Sequence, residues 1–310
     1  MKVLVTCPPM LGMIDDFRGH FEEKGIELLA PNVVQTLSEE ELMEILPGVD
    51  GWIIGDDPAT EQVFTAGVKG NLKAAVKWGV GVDNVDFKAC EKLGIPIINT
   101  PNMFGSEVAD VALSYVIGLA RETFRIDRGV RNNEWLKPAG ISLTDKKVAL
   151  VGFGDIGKAV AKRLHAFDMS INIYDPFAKK SADDEAKFEF CSWPDKLGEC
   201  DFIVLTCALN QHTKHMVNSE TLSLMKDGVR VVNVSRGPII DEYALIKGLE
   251  TGKVNSVGLD VFEVEPLPTD SKLRTYDSAI FGTHNGSNTK DAVIRASHKA
   301  ISILFDYLKV

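Results

Sequence analysis

The stretch Gly152-Phe153-Gly154-Asp155-Ile156-Gly157 places three glycines in the spacing GxGxxG, directly after an apolar run at residues 147–151. The residues that follow predict an amphipathic helix, because apolar side chains recur on one helical face: Ile156, Val160, Ala161 and Leu164. A second strand-like run at residues 171–174 ends at Asp175. Strand, glycine loop, helix and strand in this order predict a parallel α/β unit.

The same stretch predicts a dinucleotide site. Glycines at these positions allow a tight turn and a close approach of the backbone to a pyrophosphate, and the helix N-terminus offers amide donors. An acidic residue about 20 positions further on binds the ribose hydroxyls in such sites. Asp175 lies 18 residues after Gly157, which a simple structural glycine turn would not explain. We therefore expect Gly152, Gly154, Gly157 and Asp175 to bind the cofactor.

Three polar residues further along the chain are candidates for catalysis: Arg236, Glu265 and His284. Each follows an apolar, strand-like run, at residues 229–235, 257–262 and 279–283. The carboxyl ends of parallel strands meet in one crevice, so the three side chains are expected to lie together. Arginine is suited to binding a carboxylate, histidine to carrying a proton, and glutamate to orienting the histidine. Taken singly, each residue also has a purely structural or solvated interpretation.

Several segments give the chain a resemblance to a known family. They are residues 79–86, the Gly152 motif, residues 235–238, residues 258–262 with Glu265-Pro266, and residues 283–285. In their order and spacing the chain resembles the D-isomer-specific 2-hydroxyacid dehydrogenases, most closely the phosphoglycerate dehydrogenase-like branch. The resemblance runs from about residue 75 to 295. The first 70 residues match only in general pattern.

This resemblance implies an NAD-dependent oxidoreductase that interconverts a D-2-hydroxy acid and its 2-keto acid by hydride transfer. His284 is then the acid/base, Glu265 orients it, and Arg236 binds the substrate carboxylate or keto oxygen. The substrate carboxylate is expected at the backbone amides of Val80 and Gly81, with Lys77 adding positive charge.

The resemblance also implies the remaining cofactor contacts. Asp155 and Ile156 are expected at the pyrophosphate, although many relatives have a basic residue in place of Asp155. Contacts with the adenine are expected from Cys207 and Ala208. Contacts with the nicotinamide are expected from Val234, Ser235 and Asp260. Asp175 should favour NAD over NADP, because a carboxylate repels a 2′-phosphate.

The predicted fold is α/β, with two doubly wound parallel-sheet domains, Rossmann-type and flavodoxin-like, flanking a cleft. Short apolar runs alternate with helix-like stretches in the first hundred residues, which predicts a first doubly wound unit with strands at residues 2–5, 26–29, 51–54, 74–77 and 95–98. The predicted substrate domain is discontinuous, 1–100 plus 285–310, because the resemblance returns the last helix to it. Residues 101–284 form the predicted NAD-binding domain.

Composition limits the classes of partner. The 310 residues carry a formal net charge of −10, which argues against nucleic acid and anionic membranes. No apolar run reaches the ~18 residues that cross a bilayer, and residues 1–6 predict a strand rather than a signal peptide. Five cysteines without a CxxC pair favour reduced thiols in a cytoplasmic protein. His212 and His215 have no second ligand pair, so no metal is expected.

Two further expectations concern assembly and substrate. The apolar helix at residues 106–120 has more hydrophobic surface than one sheet face can cover, and the resemblance places it at a two-fold interface, so a homodimer is predicted. The acidic Gly55-Asp56-Asp57-Pro58 loop and the bulk of Trp78 predict a small unphosphorylated substrate. The alternatives are a glyoxylate or hydroxypyruvate reductase, or a D-3-phosphoglycerate dehydrogenase specifically. A non-enzymatic alternative is an NAD-sensing scaffold like the corepressors that keep the same three residues.

Overall fold

The computed structural model describes residues 1–310 and divides into two compact units. One unit combines Met1–Met103 with Asn288–Val310, and the other is Phe104–Ser287. Each unit has its own parallel sheet covered by helices. The prediction of two doubly wound α/β domains is therefore confirmed.

The first unit is built on a five-stranded sheet in the order β2-β1-β3-β4-β5, in which every neighbouring pair is parallel. This is the flavodoxin-like order. Its strands are β1 Lys2–Val5, β2 Glu27–Leu29, β3 Gly51–Ile54, β4 Ala74–Lys77 and β5 Ile97–Asn99. Its helices are α1 Pro8–Leu11, α2 Asp15–Glu22, α3 Glu39–Ile45, α4 Glu61–Lys69 and α5 Phe87–Leu93, with a 3-10 turn at Leu46–Gly48.

The central strands of this sheet are buried along their whole length, because helices cover both faces. Buried apolar runs of this kind are easy to recognise in a sequence, and β1, β3 and β4 have the predicted bounds. The helix α3 begins at Ser38 with a capping box, in which Ser38 and Glu41 exchange hydrogen bonds.

The last helix of the chain, α12 Lys290–Leu308, packs within the first unit. Trp78 Nε1 donates to Ser297 Oγ at 3.1 Å, and the rings of Phe21 and Phe305 meet edge to face at 5.4 Å. Gly51 on β3 lies under the helix, where a Cβ would come within 3.2 Å of the Leu304 methyl groups. The helix thus closes one face of the first sheet.

The second unit has a seven-stranded parallel sheet in the order β12-β11-β10-β9-β6-β7-β8. Read from its other edge, this is the Rossmann order with a switch point between β6 and β9. The strands are β6 Lys147–Val151, β7 Ser170–Tyr174, β8 Glu189–Phe190, β9 Phe202–Leu205, β10 Val229–Asn233, β11 Val254–Leu259 and β12 Ala279–Phe281. The helices are α6 Gly105–Arg121, α7 Thr123–Arg131, α8 Asp155–His165, α9 Ala182–Lys187, α10 Ser219–Leu224 and α11 Glu242–Thr251, with 3-10 turns at Leu197–Glu199, Gly237–Ile239 and Lys272–Thr275.

Helix α6 lies directly against the second sheet. A Cβ at Gly258 of β11 would come within 2.8 Å of the Tyr115 Cβ, so the missing side chain lets the helix approach the strand. Most of the large apolar side chains of α6 are buried inside this unit: Val108, Tyr115, Val116 and Leu119. The premise that one sheet could not cover this helix is therefore wrong. None of the helices is both long and apolar enough to cross a membrane.

Candidate active site

The three predicted catalytic side chains lie together in the second unit. His284 Nδ1 is 2.8 Å from Glu265 Oε2, and His284 Nε2 is 3.4 Å from Arg236 Nη1. The His284 and Glu265 side chains are about one-fifth exposed, at 20% and 19%. The imidazole therefore lies between a carboxylate on one nitrogen and a guanidinium near the other.

Arg236 follows β10 and is fixed through its own backbone. Asn233 Nδ2 donates to the Arg236 carbonyl at 2.8 Å, and Asn233 Oδ1 accepts from Ser235 N at 3.0 Å. One buried amide therefore bridges both ends of the turn. The guanidinium also donates from Nη1 to the Ser235 carbonyl at 2.9 Å.

The next residue, Gly237, has no room for a side chain. A Cβ at Gly237 would overlap the carbonyl carbon and oxygen of Phe262. The backbone after Arg236 therefore lies directly on the Phe262–Glu263 peptide. This contact sets how closely the loops that carry Arg236 and Glu265 approach each other.

Glu265 lies in the loop after β11 and uses both oxygens. Oε1 accepts from the Phe262 N–H at 2.9 Å, while Oε2 faces His284 Nδ1. The carboxylate is thus tied to its own loop by one oxygen and orients the imidazole with the other. Bonding to the carboxylate requires a proton on Nδ1, so Nε2 is the atom left to exchange a proton with a substrate.

His284 is held after β12 in an unusual backbone conformation. Its φ is +54°, in the left-handed region that non-glycine residues rarely adopt. The His284 N–H donates to the Asp260 carbonyl at 2.6 Å, and the Asp260 carboxylate accepts from Asn285 N at 3.2 Å and Gly286 N at 2.8 Å. Asp260 therefore holds the loop that presents the imidazole.

The Asp260 carboxylate is buried beside Tyr115, whose hydroxyl donates to it at 3.4 Å. Burial, followed by the charge of Asp260, raises the pKa of Tyr115 well above its ordinary value. The phenol therefore stays protonated as a donor. The nicotinamide contact expected of Asp260 stays a prediction, and the observed contacts give Asp260 a structural role as well.

The glycine motif lies at the switch point between β6 and β9. Gly152 has a φ of +96°, and a Cβ there would be 2.7 Å from the Cys207 N. A Cβ at Gly157 would overlap the Gly152 carbonyl. Gly154 differs, because a Cβ there would meet nothing within 4 Å. Gly152 and Gly157 are thus required by the fold, whereas Gly154 borders open space at the N-terminus of α8.

Asp175 follows β7 and reaches back to the glycine loop. Its Oδ2 accepts from Phe153 N and its Oδ1 from Phe177 N, both at 2.8 Å. Each oxygen keeps a second lone pair for a further donor. Asp155, the first residue of α8, turns its carboxylate toward the start of α6, where a Cβ at Gly105 would lie 2.6 Å from Asp155 Oδ2.

The residues predicted at the adenine and nicotinamide follow β9 and β10. Ser235 Oγ donates to the Cys207 carbonyl, which links the two strand ends. Burial raises the pKa of the Cys207 thiol to about 12, so the thiol is neutral and apolar. Val234 is buried, and the Ala208 carbonyl accepts from Thr213 Oγ1 at 2.7 Å. Ile156 is partly buried in the first turn of α8.

The substrate residues predicted in the first unit surround a turn after β4. Gly79, with a φ of +124°, donates its N–H to Thr100 Oγ1 at 2.8 Å, and the Val80 carbonyl accepts from Asn99 Nδ2 at 3.1 Å. These bonds fix the turn and leave the N–H groups of Val80 and Gly81 without an acceptor in the chain. Adjacent amides of this kind can bind an anion.

Lys77 lies beneath that turn. Its side chain is 3% exposed, and Nζ donates to the Gly55 carbonyl at 2.6 Å and to Asp56 Oδ1 at 3.0 Å. A Cβ at Gly79 would be 3.6 Å from the same Nζ. Lys77 therefore brings positive charge to the turn while being paired inside its own unit.

Two premises of the substrate prediction are wrong. Asp57 is fully buried, and its carboxylate accepts from Thr6 Oγ1, Gly55 N and Leu37 N. It cannot repel a substrate from a solvent-facing loop. Trp78 is only 4% exposed and bonded to Ser297, so its indole belongs to the core of the first unit. The sequence alone did not show that both side chains have polar partners inside the first unit.

Comparison with known proteins identifies the chain. Residues 113–286 match the family model described as "D-isomer specific 2-hydroxyacid dehydrogenase, NAD binding domain". The chain belongs to this family. It is 38% identical to a hydroxypyruvate reductase of Thermotoga maritima over 88% of this chain and 90% of the relative.

Two further proteins, one compared by sequence and one by structure, are similar to this chain. A glyoxylate reductase of Thermococcus onnurineus is 34% identical over 94% of this chain and 88% of its own length. A crystal structure of D-lactate dehydrogenase from Aquifex aeolicus, complexed with NAD and lactic acid, superposes with a TM-score of 0.84. It is 25% identical and covers 100% of this chain and 96% of that one. The chain is thus an NAD-dependent dehydrogenase of the D-2-hydroxyacid family.

The residues present fit NAD. Gly154 leaves open space before the N-terminus of α8, where backbone amides can meet a pyrophosphate. Asp175 offers spare carboxylate lone pairs one strand away, in the position that suits ribose hydroxyls.

Some residues of the site were not predicted from the sequence. Asn233, Gly237 and Glu242 each bond or pack against the loops that carry the predicted residues. The only sequence signal was the position of Asn233 and Gly237 close to Arg236, and Glu242 had none. A supporting residue of this kind is recognised from contacts rather than from residue type.

Asp175 provides a test of cofactor choice. The wild-type enzyme should prefer NADH over NADPH in kcat/KM, and Asp175→Ala should narrow that ratio about tenfold or more, since hydrogen bonds to charged groups contribute ~1.5–3 kcal/mol. Steady-state kinetics with both cofactors measure this. The matched control is Asp183→Ala, which removes an exposed carboxylate paired with Lys187. Equal kcat/KM for the two cofactors in the wild type would refute the assignment.

Proposed function

We propose that this protein reduces a small, unphosphorylated 2-keto acid, hydroxypyruvate or glyoxylate, to the corresponding 2-hydroxy acid with NADH. The observation that carries the proposal is the imidazole of His284, bonded through Nδ1 to Glu265 and approached at Nε2 by Arg236. The reverse oxidation uses the same groups. The names of the two sequence relatives support these two compounds as substrates.

Reduction of the keto group adds a hydride to its carbon and a proton to its oxygen. NADH, when bound, supplies the hydride to the C2 carbon. His284 gives its Nε2 proton to the keto oxygen, which carries negative charge as the carbon–oxygen double bond is reduced. Glu265 keeps the Nδ1 proton in place and stabilises the imidazolium before transfer. In the reverse direction Nε2 takes the hydroxyl proton.

Arg236 and the Gly79 turn are assigned to the substrate carboxylate and keto oxygen. A guanidinium only donates hydrogen bonds, so it polarises the keto group and stabilises the developing oxyanion. The amides of Val80 and Gly81 bind the carboxylate, and the buried Lys77 beneath them adds positive potential without reaching the substrate. Positioning by several fixed donors lowers the entropy cost of the reaction.

Within the structure, the preference for an unphosphorylated substrate rests on Lys77. Its ammonium is already paired with Asp56, so it is not available to balance a second, doubly charged group. A phosphorylated substrate would need further cations. This favours hydroxypyruvate or glyoxylate over 3-phosphohydroxypyruvate, the substrate of the phosphoglycerate dehydrogenase alternative.

A substrate panel tests the proposal. With NADH, kcat/KM for hydroxypyruvate or glyoxylate should equal or exceed that for 3-phosphohydroxypyruvate. A tenfold or larger advantage for the phosphorylated compound would favour the phosphoglycerate dehydrogenase assignment. Binding of NADH without turnover of any 2-keto acid would favour the scaffold alternative.

The protein is further proposed to be a cytoplasmic homodimer. Five unpaired cysteines, three of them buried, suit a reducing compartment. Large apolar side chains are exposed just after α6, at Phe124, Val130 and Trp135, the last of them 78% exposed. Exposed apolar side chains within one short segment support a contact surface there.

Sedimentation tests the dimer. We expect a species of twice the 33.9 kDa chain mass at micromolar concentration, and Trp135→Ala should weaken the association because it removes the most exposed aromatic side chain of this region. Asp183→Ala, an exposed change on α9 outside this segment, is the control. A wild-type monomer at micromolar concentration would contradict the proposal.

A further inference from the structure

Glu242 is a half-buried carboxylate that the proposed mechanism does not use. It is the first residue of α11, directly after the N-cap Asp241, whose side chain accepts from Ala244 N at 3.1 Å. Glu242 Oε1 accepts from the Glu263 N–H at 2.6 Å. It therefore reaches from its helix into the loop that carries Glu265.

Two neighbouring amides of that loop are held by two carboxylates. Phe262 N–H donates to Glu265 at 2.9 Å, and the next N–H, of Glu263, donates to Glu242. Gly237 lies against the same peptide, with no space for a Cβ between them. The Phe262–Glu263 peptide is thus clamped by Glu242 on one side and by the Arg236 turn on the other.

The charge of Glu242 stands close to other charges. Burial raises the pKa of the Glu242 carboxyl, and the nearby negative charges of Glu263 and Glu265 raise it further, against the opposing bond from Glu263 N. Glu263 itself contacts His215 Nε2 at 2.5 Å. An ionised Glu242 therefore lowers the stability of the fold, which is expected only if its charge contributes to the site.

We propose that Glu242 is a positioning residue of the dehydrogenase, which fixes the Glu265 loop and adds negative potential that favours the protonated His284. This inference rests on the proposed function. His284 faces Glu265 at Nδ1 and Arg236 near Nε2, so the imidazole lies between opposite charges. Glu242 lies near Glu265 and adds a further negative charge on the Nδ1 side.

The charge is tested with Glu242→Gln, whose amide oxygen still accepts from Glu263 N. Removing one negative charge should move the titration midpoint of the His284 imidazole, followed by NMR, to lower pH by on the order of half a unit. The alkaline limb of kcat/KM for keto-acid reduction should move with it. Glu220→Gln removes an exposed charge from the first turn of α10 and should change neither.

The positioning role is tested with Glu242→Ala, which also removes the acceptor. Loosening the Glu265 loop should lower kcat about tenfold, since small misplacements of catalytic groups are costly. The KM for NADH should stay unchanged. Glu242→Gln keeps the hydrogen-bond acceptor, so its kcat at low pH should be near the wild-type value, unlike that of Glu242→Ala.

Thermal unfolding tests whether the charge of Glu242 contributes to the stability of the fold rather than to the site. Because its pKa is raised in the folded state, the ionised Glu242 destabilises the fold at pH above its ordinary value of 4.5. Glu242→Gln should therefore raise Tm at pH 8, and the gap should narrow as the pH falls toward 4.5.

An unchanged His284 titration in Glu242→Gln would overturn the electrostatic role, and wild-type kcat in Glu242→Ala would overturn the positioning role. The NMR titration does not depend on turnover. If the wild type reduced no 2-keto acid but the His284 midpoint still moved, the proposed function would fail and the coupling would stand.

Discussion

The contact between Gly237 and the Phe262–Glu263 peptide is the constraint on which the candidate site depends. With no side chain at position 237, two loops from neighbouring strands touch through their backbones. One loop carries Arg236 and the other Glu265, so their separation is set by peptide packing rather than by flexible side chains. Side chains held this way lose little entropy when a ligand binds.

Around this contact, neighbouring polar side chains fix the loops that carry the candidate residues. Asn233 ties down the Arg236 turn, and Asp260 holds the loop of His284 through two amides. The left-handed backbone of His284 costs energy, which these contacts offset. The imidazole is thereby held in one orientation between Glu265 and Arg236.

Much of the fold could be predicted from the sequence because its strands are buried on both faces. Runs such as β3, β4 and β6 are continuous apolar segments with polar ends, and their bounds are as predicted. The strand β5 was predicted from residue 95 but begins at Ile97, since Pro96 has no N–H to donate to a sheet. The glycine spacing and the distance to Asp175 also indicated the cofactor-binding unit, because both reflect backbone geometry.

The roles of buried polar residues could not be predicted. The sequence presented Asp57 as part of an acidic surface and Trp78 as an apolar wall, whereas both lie inside the first unit with specific partners. Likewise, nothing in the sequence distinguished Glu242 from a solvated glutamate. Such assignments depend on contacts between residues far apart in the chain, which local patterns do not encode.

The proposed proton transfer by His284 is tested most directly by His284→Ala, with the exposed His165→Ala as control. Steady-state reduction of hydroxypyruvate and glyoxylate would be measured beside NADH affinity by fluorescence titration. The account predicts that kcat falls by a factor on the order of 10²–10⁴ in His284→Ala, while the Kd for NADH stays unchanged. Near-wild-type turnover in that variant would mean that another group carries the proton, and would contradict the account.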